Sequence, residues 1–103
     1  MEQDLTVWIG LANVSIDTNK DIFGTKSNAY VTVLSLADDN LDFEAQVNIA
    51  LINMGLHLLE IEENEPFLER LEKFEVTSEI LELAEIVKET SQVQFATFHA
   101  YDL

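Results

Sequence analysis

Residues 29–44 read AYVTVLSLADDNLDFE, and the handover inside them decides the fold. The first half, Ala29 to Leu36, is rich in β-branched and aromatic side chains and predicts a strand. The Ala37-Asp38-Asp39-Asn40 step is a turn and helix start, since Asp39 or Asn40 can cap exposed backbone N–H groups and Asp42 and Glu44 suit the positive end of a helix dipole. Downstream, Phe43, Val47, Ala50, Leu51 and Met54 fall at i, i+4, i+7, i+8 and i+11, one apolar stripe that Ala45, Ile49 and Ile52 widen. Gly55 is placed to end that helix in the left-handed conformation.

Working outward, Leu5, Val7, Ile9 and Leu11 alternate with Thr6, Trp8 and Gly10, the period of a first strand. Asp17 to Asn28 is polar and reads as a loop, so the first two strands are expected to form an antiparallel hairpin. Leu56 to Glu62 predicts a third strand with His57, Leu59 and Ile61 on one face and Leu58, Glu60 and Glu62 on the other. From Glu63 to Val76, Pro66 followed by Phe67, Leu68, Leu71 and Phe74 suggests a short amphipathic helix or turn. Thr77-Ser78-Glu79 opens a clearer helix, with Ile80, Leu83, Ala84 and Val87 inward and Glu79, Glu82, Glu85 and Glu89 outward. Val93 to Tyr101 alternates with large side chains on both faces and is expected in the middle of the sheet. The order β-β-α-β-α-β then implies an α+β two-layer sandwich, ferredoxin-like or related: a four-stranded mixed sheet with two main helices on one face.

The 103 residues, taken as one domain spanning 1–103, include 36 Leu, Ile, Val and Phe. That share is well above the roughly 20% below which highly charged chains stay unfolded. Cysteine is absent, which removes disulfides, thiolate catalysis and cysteine-ligated metals. The acidic start Met1-Glu2-Gln3-Asp4 is unlike a secretory leader, and no apolar run approaches the ~20 residues of a membrane span, so a cytoplasmic protein is expected.

Charge restricts the partners most. Residues 60–89 carry eleven glutamates against Arg70, Lys73 and Lys88, so this segment holds −8 of the chain's −15. Such a field repels nucleic acid and anionic membranes and attracts basic proteins or cations. A solubilising helix face normally interleaves lysine with glutamate at i+4, and here that relief is mostly missing. Glu60, Glu62, Glu63, Glu65, Glu69, Glu79, Glu82 and Glu85 are therefore the candidate partner-binding residues.

Other constellations carry less. Asp17-Thr18-Asn19-Lys20-Asp21 spaces oxygens like a calcium loop but lacks the glycine at position six and the glutamate at position twelve. Asp38, Asp39, Asp42 and Glu44 could hold magnesium, but helix capping accounts for them. His57 and His99 are too few for zinc, and Ser15, Ser35, Ser78 and Ser91 lack a nucleophile-elbow context for a triad with His99. Three glycines build no phosphate loop. Trp8, Tyr30, Phe98 and Tyr101 sit on predicted strands, and some of them are expected on an open sheet face, a surface suited to a partner or a second copy.

The sequence thus points to a non-catalytic acidic binding protein without cofactor or metal, of the inhibitor or immunity kind that neutralises a basic protein such as a nuclease toxin. The close variant is a DNA mimic of phage type that occupies a nucleic-acid-binding protein. Other classes are a small enzyme using carboxylates or histidine, and a structural homodimer module.

Overall fold

The computed structural model describes residues 5–16 and 28–101, Ile16 and Tyr101 by their backbones only. The elements are β1 (Thr6–Ile16), β2 (Asn28–Ala37), α1 (Asn40–Asn53), β3 (Leu56–Pro66), α2 (Phe67–Lys73), α3 (Ser78–Thr90), β4 (Gln94–Phe95) and β5 (His99–Tyr101). They form an α+β fold, as the sequence implies. The Asp17–Asp21 calcium-like motif lies outside the described residues.

Strand order is β3-β1-β2-β4, with β5 also on β2. Every pairing is antiparallel, so the sheet is not mixed. The reason is the place of β1: it lies between β2 and β3, and the two strands joined through α1, which run parallel, never touch. The last segment is not central either. It splits into two short strands on the outer edge of β2, while Phe95 and Phe98 stack on one another with centroids 5.9 Å apart.

Pleat parity separates two cores. Ala12 and Val14 of β1 pair with Val31 and Ala29 of β2, and this face packs on Phe43, Val47 and Leu51 of α1. Val7 and Ile9 pair with Leu36 and Leu34, on the opposite face, where Phe67 of α2 and Ala84 and Val87 of α3 cover them. Each core is two layers deep, sheet on helix. The helices are therefore not on one face, because β1 and β2 are apolar at both parities where α2 and α3 cross.

Asp39 caps α1, its side chain accepting from Asp42 N at 2.8 Å, and Thr77 caps α3 by accepting from Ile80 N. Of the acids of the 38–44 segment, Asp39 and Asp42 are thus engaged in capping, Asp42 in turn accepting from Asp38 N. Gly55, at φ 79°, ends α1 in the conformation that favours glycine. The α1 stripe is narrower than its spacing suggests: Phe43, Val47 and Leu51 are buried, whereas Ala45, Ile49, Ile52 and Met54 are exposed.

Two irregularities set the register of β3. Asn13 faces Glu60 but Val14 faces Leu58, so Leu59 is an extra residue. The bulge inverts the expected parity: Leu58 and Ile61 join the α1 core, and His57 and Leu59 are exposed. Further on, Ile9 faces Glu65 and Leu11 faces Glu62, leaving Glu63 and Asn64 opposite Gly10. Glu63 takes φ 59°. Asn64 folds back toward Gly10 and donates through Nδ2 to Asn40 Oδ1 at 2.9 Å.

A Cβ at Gly10 would collide with Asn64 Oδ1 and come within 2.9 Å of Phe43 Cε2. Gly10→Ala should therefore destabilise the fold by about 1–3 kcal/mol, the usual range for overpacking, as read by urea denaturation. Asn64→Ala in that background should return part of the loss, because it removes the nearer of the two obstacles; no rescue would show that the obstruction lies elsewhere.

Candidate acidic docking face

The second face of the sheet has two parts. At the Val7–Ile9 end it is roofed by α2 and α3. Beyond Leu11 no helix of either core reaches it, and the cross-strand pairs Leu11–Glu62, Asn13–Glu60 and Ser15–His57, with Asn13–Tyr30 and Tyr30–His99, bring their side chains to one surface. Glu60, Glu62, His57, Tyr30 and His99 are exposed there. Tyr30 meets the expectation of an aromatic on an open face. Trp8 lies on the other face, half-buried against Phe43 at 6.1 Å between centroids.

His57 and His99 lie on opposite edges with β1 and β2 between them, some three strand spacings of ~4.8 Å. They do not form one site. Among the described residues no three His, Asp or Glu side chains are grouped to hold a metal ion.

The helix layer carries most of the other carboxylates. Glu69 lies in the first turn of α2, and Glu82 is exposed on α3. Glu79, in the first turn of α3, accepts from Thr97 N at 3.3 Å and Thr97 Oγ1 at 3.4 Å, clamping the helix to the β4–β5 connection. Glu85 pairs with Lys88 at 3.4 Å on the exposed surface, a contact of little energetic weight.

Glu65 does something different. It accepts from both Arg70 and Lys73, and Arg70 Nη2 also donates to Glu63 O at 2.9 Å. These bonds fasten α2 to the end of β3 and help hold the left-handed Glu63, a conformation that costs about 1–2 kcal/mol for a side chain with a Cβ. Glu63 keeps its carboxylate exposed. Among the candidate residues, Glu65 is thus a tether. All three described cations, Arg70, Lys73 and Lys88, are engaged by only two carboxylates, Glu65 and Glu85. The remaining glutamates on this side have no cation among the described residues.

One feature of the same layer is not evident from the glutamates. A cleft of about 590 Å³ between α2, α3 and the end of β1 and β2 is lined by Leu5, Leu36, Phe67, Leu68, Leu71 and Leu81, with Glu85 and Lys88 at its rim. Leu68 is 69% exposed. The spacing of Phe67, Leu68, Leu71 and Phe74 suggests a short amphipathic helix or turn, and in the helix that forms only Phe67 is buried. Four large apolar residues within eight positions exceed what one face of a two-turn helix can bury, and that excess was the available signal.

No protein-family model, curated protein or solved structure matches the chain. No described helix is long and apolar enough to cross a membrane.

The hydrogen bonds from Lys73, then Arg70, hold the Glu65 carboxyl below the usual carboxylate range. A group with a depressed folded pKa stabilises the fold above its unfolded pKa, near ~4.3, and that contribution is lost as pH falls through the folded value. Wild type should therefore melt higher than Glu65→Gln near neutral pH, and the gap should close in acid below the ordinary glutamate range. A gap unchanged in strong acid would show that the carboxylate charge is not what fastens α2.

Proposed function

We propose that the chain is a non-catalytic acidic binding protein that docks on a basic protein and blocks it, in the manner of an inhibitor or immunity protein facing a toxin such as a nuclease. The observation that carries this reading is the apolar cleft between α2 and α3 set within a layer whose carboxylates, Glu65 and Glu85 apart, have no cation among the described residues. Apolar anchors seated in a concave site supply most interface energy, whereas surrounding charge sets encounter rate and discriminates between partners. A basic partner would place an aliphatic or aromatic side chain in the cleft and lysines or arginines against Glu69 and Glu82. Neutralising such a partner needs a rigid complementary surface and no reacting group of its own.

The test uses affinity capture from the source organism with the whole chain as bait. A basic protein should be retained at low salt and released at about 0.5 M, where the Debye length falls to a few ångströms. Glu69→Gln with Glu82→Gln should slow its association about ten-fold while leaving the melting temperature unchanged or higher, since self-repulsion is relieved. Leu68→Asn should instead accelerate dissociation. Co-expression should relieve any toxicity of the captured protein. Capture that is insensitive to salt and to both sets of substitutions would exclude this face as the docking surface.

A further inference from the structure

On the other side of the sheet, α1 carries an apolar seam that faces away from its own core. Leu41, Ala45 and Ile52, with Asn48 between them, follow the 4-3-4 spacing of a helix-pairing seam, and Ile49 flanks it. Leu41 is 77%, Ile49 60% and Ile52 59% exposed. The inward stripe Phe43-Val47-Leu51 is buried on the opposite side of the same helix. A helix apolar on both sides is a helix with a second partner.

We infer that this seam pairs two copies of the chain, α1 against α1 in antiparallel two-fold contact.

Three observations select a second copy. The first is charge: from Ala45 to Met54 the chain has no ionisable residue, and the acids of α1, Asp42 and Glu44, lie off the seam and are only partly exposed. In a chain of net −15, this is a surface on which two copies meet without opposing carboxylates. The second is placement. Because α1 covers one face of the sheet and α2 and α3 the other, pairing through α1 turns the acidic layers of both copies outward. The third is self-complementarity. The four seam positions are symmetric about the peptide between Gln46 and Val47, so an antiparallel pair sets Leu41 of each copy against Ile52 of the other and Ala45 against Asn48, as an isologous interface requires. Ala45 is small enough to let the axes approach to the ~8–10 Å of packed helices.

The contact is limited. A 14-residue helix is ~21 Å long, so the buried area falls below the ~800 Å² per partner of a standard interface. Association should then lie in the micromolar range and reverse on dilution. Raising salt should strengthen it by screening the repulsion between two anions, opposite in sign to docking on a basic protein.

Sedimentation velocity of the purified chain across a concentration series, at low salt and at about 0.5 M, tests the inference. A monomer–dimer equilibrium tightened by salt is expected. Leu41→Asn and Ile52→Asn, which leave net charge unchanged, should each weaken it at least ten-fold without lowering the melting temperature read at dilutions where the chain is monomeric, and Asn48→Leu should tighten it. The chain has no native cysteine, so Ala45→Cys, next to the two-fold axis, should be joined by a short bismaleimide, and adding Ile52→Asn should abolish that product. A monomer at every concentration and salt, or a dimer indifferent to Leu41→Asn and Ile52→Asn, overturns the proposal.

Discussion

The absence of a side chain at Gly10 is the constraint on which the architecture turns. β1 is the central strand of the long three-stranded part of the sheet, paired on one side to β2 and on the other to β3. Midway along it, the missing Cβ admits the edge of Phe43 from α1 and the side chain of Asn64 from β3. That close approach seats α1 on the small residues Ala12 and Ala29, and it leaves room for the bulge at Glu63 and Asn64. Asn64 then reaches Asn40 at the start of α1, while its Oδ1 stays buried without a conventional hydrogen-bond partner. A buried unpaired carbonyl costs about 1–3 kcal/mol, which good packing at Gly10 has to offset.

From that bulge the second half of the molecule follows. The irregular end of β3 turns Glu65 to the α2 side, where Arg70 and Lys73 meet it. α2 is only seven residues long, too short to be stable by propagation alone. It is held by the burial of Phe67 and by this ion-pair cluster. With two of the three cations of the 60–89 segment used to fix α2, little positive charge is left to compensate the outward carboxylates. The local mechanics of the fold thus generate the electrostatic imbalance on this layer.

The pairing of the first two strands was legible because they are neighbours in the chain, and the helix starts near Asp39 and Thr77 and the inward stripe of α3 were legible because each rests on residues close together in sequence. What was not legible depended on distant pairing. Leu58 and Leu59 look interchangeable in an alternating run, and only the bulge opposite Asn13 and Val14 decides which is buried. The edge position of residues 94–101 follows from β1 having already filled the centre, a long-range outcome that alternation of Phe95, Thr97 and His99 cannot reveal. Of the eight candidate glutamates, spacing could identify exposure for most, but it could not show that Glu65 turns to Arg70 and Lys73 or that Glu79 holds Thr97.

The two helix layers divide charge and apolarity in a way that a single amphipathic stripe would not. The α2–α3 layer combines carboxylates with an apolar cleft, whereas the outer side of α1 exposes Leu41, Ile49 and Ile52 and, from Ala45 onward, carries no charge. Screening therefore acts on them in opposite directions: it weakens any contact of the first layer with a cation and strengthens contact between two α1 surfaces. Because the sheet separates the layers, both contacts can be made at once, and pairing through α1 would present two acidic layers on opposite sides of one particle. Two such layers joined by a fixed core raise the effective concentration of the second for a partner with two basic sites, so a weak α1 contact would contribute to avidity even where it does not persist alone.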